Sequence, residues 1–213
     1  MRLYCMSLTP DCEVYLGNMG LQAQFTFTTN SGAITITGYT GTSDAVVIPS
    51  VVNGLPVTDI GLNAFASNNV TSVTIPDSIT NIGTQAFESC SNLTSVIIGT
   101  NVETIGMGAF VFCGLLTNVT IPNSVMTIGV GAFDDCASIT SVTIPNNVTS
   151  FGEGAFQACI NITSLTIGNK LTYIGTNAFG ACINLTTITF PASLTSIENY
   201  AFLGCDKLTS IYF

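Results

Sequence analysis

The stretch DDCASITSVTIP, residues 134–145, recurs in nearly the same form at intervals of 23 residues. Related stretches begin at residues 88, 111, 157 and 180, and each holds one cysteine at its third position. A period of this length is typical of a solenoid, in which each coil buries its apolar side chains against the neighbouring coils. An Ala-Phe pair marks the same period seven times, at Ala64-Phe65, Ala86-Phe87, Ala109-Phe110, Ala132-Phe133, Ala155-Phe156, Ala178-Phe179 and Ala201-Phe202.

The segment Ser141–Ile144 alternates polar and apolar side chains, which is the period of a half-buried β-strand. Val142 and Ile144 are expected to point into the core, and Ser141 and Thr143 toward solvent. A proline or a glycine follows this segment in most copies and ends the strand, because proline cannot donate to a β-ladder. Stacked copies therefore predict a parallel β-sheet along one face, with neighbouring strands about 4.8 Å apart.

The Gly-Ala-Phe-x-x-Cys segment of each copy predicts a short helical or 3₁₀ segment opposite the sheet, because Phe and Cys three residues apart would share one face. The predicted fold class is an α/β repeat solenoid. Alternating runs on either side of Asn30-Ser31-Gly32 predict an N-terminal β-hairpin that caps the core. We expect a leader or poorly ordered segment at 1–23, the hairpin cap at 24–42, and a solenoid of about eight coils at 43–213.

The composition excludes several classes of function. Charged residues make up 7% of the 213 residues, and hydrophobic residues 47%. The net charge of −9 argues against nucleic acid as a partner, because binding phosphate needs clustered Lys and Arg. No apolar run approaches the roughly 18 residues of a transmembrane helix, so no membrane insertion is expected. The N-terminus lacks the apolar core of a clear signal peptide.

The repeated cysteines predict a structural role. A metal site would need closely spaced ligand pairs, usually with His, and the chain has no His. We therefore expect no metal, no cofactor and no catalytic thiol with a base beside it. The favoured interpretation is a ladder of free, buried thiols, with disulfides between neighbouring coils as the alternative. Cys5 and Cys12 either pair with each other or are free. The ladder comprises Cys90, Cys113, Cys136, Cys159, Cys182 and Cys205.

The outward side chains of the strands are the candidates for ligand contact, since solenoids present extended sheets to partners. The structural alternative is that Thr simply tolerates a strand and that its hydroxyl ladders satisfy one another. Ile97 and Tyr212 interrupt the polar ladder and are the best anchors. The candidate residues are Ser95, Ile97, Asn118, Thr120, Ser141, Thr143, Ser164, Thr166, Thr187, Thr189 and Tyr212.

The pattern L-x-x-V-x-I-P-x-x-V-x-x-I-G-x-x-A-F-x-x-C resembles the BspA-type leucine-rich repeat over about residues 33–213. The entry ITITGYTGTSDAVVIPSVVNGLPVTDIGLNAF, residues 34–65, is also similar to the start of such arrays. Asn68 and Asn69 near the first Cys position and Glu198 at a bend glycine depart from the pattern. The resemblance implies a leucine-rich-repeat array at the cell surface or outside the cell, active in adhesion, and no catalytic residues.

The expected function is non-catalytic recognition of an extracellular protein or glycan through the strand face. The alternative is a structural spacer or scaffold segment of a larger surface protein. A minor alternative is an ice-binding-like Thr array, because ranks of Ser-x-Thr resemble those of ice-binding solenoids. The last strand, SIYF at 210–213, would leave an unpaired edge, for which we expect edge pairing or a further domain.

Overall fold

The structure, a computed structural model, describes residues 24–213. The expected leader at 1–23, with Cys5 and Cys12, lies outside the described residues. Eighteen short strands follow one another in this part of the chain, and most have two to four residues. They are β1 (Phe25–Asn30), β2 (Ala33–Tyr39), β3 (Ala45–Val47), β4 (Val51–Val52), β5 (Leu55–Ile60), β6 (Ser72–Thr74), β7 (Asn81–Ile82), β8 (Ser95–Ile97), β9 (Thr104–Ile105), β10 (Asn118–Val119), β11 (Thr127–Ile128), β12 (Ser141–Ile144), β13 (Ser150–Phe151), β14 (Ser164–Ile167), β15 (Tyr173–Ile174), β16 (Thr187–Thr189), β17 (Ser196–Ile197) and β18 (Ser210–Tyr212).

The expected parallel sheet is present along one face of the solenoid, which we call the strand face. Equivalent residues of successive coils pair in register, as Val73 does with Val96 and Val142 with Leu165. The apolar members are buried and the Ser and Thr between them are outward, so the predicted alternation is confirmed. The strand face is divided into three sections, which are β3-β6-β8-β10, β12-β14 and β16-β18.

A second parallel sheet, which sequence analysis did not predict, runs along a neighbouring face without interruption from the hairpin to β17. Strands of two residues, such as Thr127–Ile128, form most of it. A glycine follows most of these strands, and a Cβ atom on Gly129 would lie 2.5 Å from the backbone nitrogen of Met107 in the preceding coil. The glycine therefore does more than allow a bend, because it lets two backbones approach closely.

The N-terminal hairpin is formed by β1 and β2, which pair in antiparallel orientation. Ser31 and Gly32 connect them with φ values of 50° and 85°, the left-handed pair typical of a two-residue hairpin turn. Strand β2 then pairs in parallel with β5, which joins the hairpin to the second sheet. The ring of Tyr39 stacks on Phe65 at 5.4 Å, so the hairpin covers the N-terminal end of the core.

The Ala-Phe segments form consecutive turns, and the expected helical or 3₁₀ segments are absent from residues 24–213. The N–H of Ala132 donates to the carbonyl oxygen of Gly129 at 3.3 Å, within the coil. The next N–H, of Phe133, instead donates to Ala155 of the following coil at 2.8 Å. A helix would keep all of these donors inside the segment. Successive N–H groups of the turn thus alternate between an acceptor in their own coil and an acceptor in the following coil. The second kind of bond holds neighbouring coils together.

Two left-handed residues in each coil make this alternation possible, and several of them are not glycine. Ala158 has a φ of 54°, which costs an L-residue roughly 1–2 kcal/mol relative to glycine. We expect Ala158→Gly to raise the free energy of unfolding by about 0.5–1 kcal/mol, because the greater chain entropy of unfolded glycine offsets part of that cost. Urea unfolding measures the change. Ala137→Gly, at a position without a positive φ, is the matched control and should lower stability; equal effects of the two variants would contradict the assignment.

A column of stacked phenyl rings fills the centre of the solenoid. The ring of Phe133 lies 5.2 Å from that of Phe110 and 5.2 Å from that of Phe156, with interplanar angles of 5° and 7°. Each coil therefore contributes one ring to a continuous stack, because all coils place their phenylalanine at the same point. The stacked residues are Phe65, Phe87, Phe110, Phe133, Phe156, Phe179 and Phe202.

Candidate functional site

The eleven candidate residues all lie on the strand face and are exposed. Pairing of Thr143 with Thr166 and of Thr189 with Tyr212 places the outward positions of successive coils side by side. The two proposed anchors are the most prominent apolar side chains among the candidates, with Ile97 65% exposed and Tyr212 56% exposed. The geometry thus brings the candidates together; their part in binding remains a proposal.

In four coils the threonine that precedes the strand-face segment has a structural role, and these residues are Thr71, Thr94, Thr117 and Thr163. The hydroxyl of Thr94 donates to the carbonyl oxygen of Thr71 at 2.9 Å, and that of Thr117 donates to Thr94 at 3.1 Å. Thr163 repeats the contact with Thr140 at 3.3 Å. Sequence analysis considered hydroxyls that satisfy one another, whereas these hydroxyls bond to backbone carbonyls.

The strand face is interrupted between β10 and β12, and again between β14 and β16. The N–H of Thr117 donates to Thr94 at 3.1 Å, and that of Thr163 donates to Thr140 at 2.9 Å. The corresponding bond from Thr140 to Thr117 is missing from the backbone bonds of the described residues. The N–H of Ile121 likewise makes no bond to the following coil, unlike the N–H groups of Ile48, Ile75 and Phe190.

A groove of about 430 Å³ opens at this interruption, and we call it the β10/β12 groove. Four of the candidate residues line it, together with four residues that form its floor and one end. The candidates are Asn118, Thr120, Ser141 and Thr143, and the others are Val119, Ile121, Pro122 and Asn123. The 23-residue spacing is unchanged here, and Asn118 in place of Ser or Thr is the one local signal, so sequence analysis did not identify the groove.

The repeated cysteines form the predicted ladder of free thiols, and each also donates a hydrogen bond. The Sγ of Cys136 donates to the carbonyl oxygen of Phe110 at 3.1 Å, and that oxygen also accepts the N–H of Cys113 at 3.2 Å. Sequence analysis interpreted the cysteine as a small apolar filler and missed its role as a donor between coils. All six thiols are free, and each donates to the phenylalanine of the preceding coil: Cys90, Cys113, Cys136, Cys159, Cys182 and Cys205.

Burial governs the protonation of these thiols. It raises the pKa of Cys90 to about 11 and that of Cys182 to about 12. Burial also raises the pKa of Cys136 well above its ordinary value. Because the thiolate is the nucleophile and the metal ligand, thiols that stay protonated at neutral pH are inert toward both kinds of chemistry.

The first regular coil replaces the cysteine by Asn68 and keeps the hydrogen bond. The Nδ2 of Asn68 donates to the carbonyl oxygen of Tyr39 at 3.3 Å. Tyr39 stacks on Phe65, so the hairpin supplies both the ring and the carbonyl that a preceding coil would supply. The departure from the cysteine pattern therefore marks the junction with the hairpin.

Residues 24–213 offer neither a metal site nor a membrane-spanning helix. No three residues among His, Cys, Asp and Glu come together there in an arrangement that could hold a metal ion. No helix in this part of the chain is long and apolar enough to span a membrane.

Comparisons with known proteins agree with the geometry. A model of the BspA type leucine rich repeat region matches residues 58–183 and 126–213, with six copies of the repeat. A crystal structure of a leucine rich cell surface protein from Faecalibacterium prausnitzii A2-165 has 38% sequence identity and a TM-score of 0.82. A leucine-rich repeat protein from Bacteroides ovatus has 31% identity and a TM-score of 0.82. A leucine-rich repeat protein from T. pallidum has 29% identity and a TM-score of 0.81.

These alignments cover 89%, 89% and 88% of this chain, and 53%, 52% and 89% of the respective relatives. The chain thus spans about half the length of the first two. A search of curated proteins gave no match. The repeat model matches well over half of the chain, and the stacked coils are those that the repeat pattern predicts. The chain belongs to the BspA-type leucine-rich repeat family.

Proposed function

We propose that this protein is a non-catalytic recognition module that acts in adhesion at the cell surface or outside the cell, and that its strand face binds the partner. The observation that carries the proposal is the difference between the two kinds of threonine. Hydroxyls such as that of Thr94 are engaged between coils, whereas those of Thr120, Thr143 and Thr166 form no hydrogen bond within the described residues. Exposed, unpaired hydroxyls on a rigid sheet are available to a ligand.

A surface location for the chain is supported by its similarity to the cell surface protein from F. prausnitzii. An extracellular protein or a glycan is the proposed partner. The rival function is a structural spacer or scaffold segment of a larger surface protein. The ice-binding-like array is disfavoured because the β10/β12 groove interrupts the regular ranks of threonine.

Lysine substitutions on the strand face test the proposal. We expect the triple variant Thr120→Lys, Thr143→Lys and Thr166→Lys to bind an array of extracellular-matrix proteins and glycans at least about tenfold more weakly than wild type. Its thermal unfolding should stay the same, because all three side chains are exposed.

The matched control places the same three charges on the second sheet, in the same three consecutive coils, as Thr127→Lys, Ser150→Lys and Tyr173→Lys. The control should bind like wild type. An equal loss in both variants would mean that added charge, and not the strand face, reduces binding. A wild-type protein that binds nothing on the array would favour the spacer.

A further inference from the structure

We propose that the β10/β12 groove binds an uncharged oligosaccharide. The inference rests on the proposed function, because it names the ligand class of one part of the strand face. A volume of about 430 Å³ lies within the roughly 300–1,000 Å³ of small-molecule sites. The strand face is interrupted here and again between β14 and β16, and the groove lies at the first of these two interruptions.

The polar groups of the groove match the hydroxyl groups of a sugar. Thr120, Ser141 and Thr143 each offer a hydroxyl that donates one hydrogen bond and accepts others, and Asn118 offers an amide that does both. The N–H of Thr140, the residue before Ser141, makes no backbone hydrogen bond to the preceding coil. A ligand that is both donor and acceptor at several neighbouring atoms can satisfy all of these groups.

The charges of the described residues favour a neutral sugar over an acidic one. No charged side chain lines the groove. Residues 24–213 contain two lysines, and each is bound to an asparagine elsewhere: Nζ of Lys170 lies 3.2 Å from Oδ1 of Asn147, and Nζ of Lys207 lies 2.7 Å from Oδ1 of Asn184. With a net charge of −9, the chain as a whole repels sulfated or sialylated sugars.

An extended peptide does not fit between the two strands as an added strand. Insertion would require about twice the usual strand spacing of about 4.8 Å. The second sheet is continuous through β9, β11 and β13 at this level. The N–H of Phe110 donates to Ala132 at 2.8 Å, and the rings of Phe110 and Phe133 lie 5.2 Å apart. Both contacts hold the coils at single spacing, so the groove accepts a ligand that lies on it.

The groove also offers apolar surface for the C–H groups of a sugar ring. Val96 pairs with Val119, and this register places Ile97 beside Thr120, which lines the groove. Ile97 is 65% exposed, and Ile121, which lines the groove, is 7% exposed. A ring that lay across the rim would cover the side chain of Ile97 while its hydroxyls reached the polar groups.

Removal of the hydroxyls without loss of shape tests the inference. The probe is an array of neutral hexose and N-acetylhexosamine oligosaccharides, with sialylated and sulfated oligosaccharides beside them, followed by calorimetric titration of the best binder. We expect wild type to select neutral oligosaccharides, and Thr120→Val with Thr143→Val to weaken that binding by about tenfold or more. The control, Thr166→Val with Thr189→Val, removes two hydroxyls of the same face outside the groove and should bind like wild type.

Three results would overturn the inference: no neutral oligosaccharide binds, charged ones bind better, or the two valine variants lose binding equally. The proposed function can survive any of them. If matrix proteins bind wild type and the strand-face lysine variant abolishes that binding, the strand face still recognises a partner and the glycan inference alone has failed. If neither proteins nor glycans bind wild type, both have failed.

Discussion

Raising the pH from about 7.5 to about 9.5 is expected to remove about 7 kcal/mol from the free energy of unfolding. Most folded proteins are stable by roughly 5–15 kcal/mol, so this loss would bring the protein close to unfolding. Its source is the thiol ladder at the centre of the solenoid. The contributing residues are completely buried and have a raised pKa: Cys90, Cys113, Cys136, Cys159 and Cys182.

The direction of the effect follows from proton binding. An exposed thiol in the unfolded chain has a pKa of about 8.5 and loses its proton as the pH rises above that value. The buried thiols keep theirs, since even Cys90 has a folded pKa of about 11. Above pH 8.5 or so the folded state therefore binds more protons than the unfolded state, and stability falls with pH. At one unit above the unfolded pKa the loss is about 1.4 kcal/mol for each buried thiol.

Urea unfolding under reducing conditions, followed by circular dichroism at several pH values, measures this loss. Cys136→Ala is the control, because it removes one buried thiol while the carbonyl oxygen of Phe110 keeps its bond from Cys113. The variant should be less stable than wild type at neutral pH and should lose about 1.4 kcal/mol less over the same pH interval. Stability that did not change between the two pH values would show that the thiols ionise in the folded state. Cys205 is partly exposed and is expected to contribute less.

The stack of coils could be predicted from the sequence because each coil position has its own chemistry. Val142 and Ile144 alternate with Ser141 and Thr143, and that pattern alone determines which side of the strand is buried. Phe133 recurs at a fixed spacing, and identical coils must superpose it on its copies. These predictions depend on local period and on repetition, which a single sequence records in full.

The turns opposite the strand face could not be predicted in the same way. Phe133 and Cys136 share a face in a helix and also in the observed turns, so their spacing does not distinguish the two. The choice depends on the N–H of Phe133, which reaches Ala155 in the next coil. Left-handed residues such as Ala158 permit contacts of this kind, and their side chains give little sign of it, since alanine is uncommon in the left-handed region, unlike Gly, Asn or Asp.

The β10/β12 groove was beyond sequence analysis for a related reason. The four candidate residues that line it were candidates only as members of a long face, because the repeat has the same length in every coil. The backbone bond between coils is missing from Thr140 to Thr117 and also from Thr186 to Thr163, whereas a periodic sequence predicts that bond equally at every level. The repeat pattern therefore predicts the structure that the coils share, and it does not predict which neighbouring coils lack this bond.

Phe133→Ala is expected to lower the free energy of unfolding by about 3–5 kcal/mol. The ring is completely buried and lies at 5.2 Å from the rings above and below it, so both neighbours lose a stacking partner. The cavity cannot close, since turn bonds on either side, such as that from Phe133 to Ala155 at 2.8 Å, hold the coils at their spacing. Urea unfolding monitored by circular dichroism measures the cost.

The position of the ring in the stack provides the control for this prediction. Phe202 lies at the C-terminal end, where it stacks on Phe179 at 5.5 Å and is only partly buried. Phe202→Ala should cost clearly less than Phe133→Ala, because solvent already reaches one side of the ring and the last coil can relax. Equal costs would mean that the ring stabilises the protein mainly through contacts within its own coil. A larger cost for Phe133 would show that stability in this solenoid comes from contacts between coils, since the two residues occupy the same position of the repeat and differ in whether equivalent rings stack on both sides or on one.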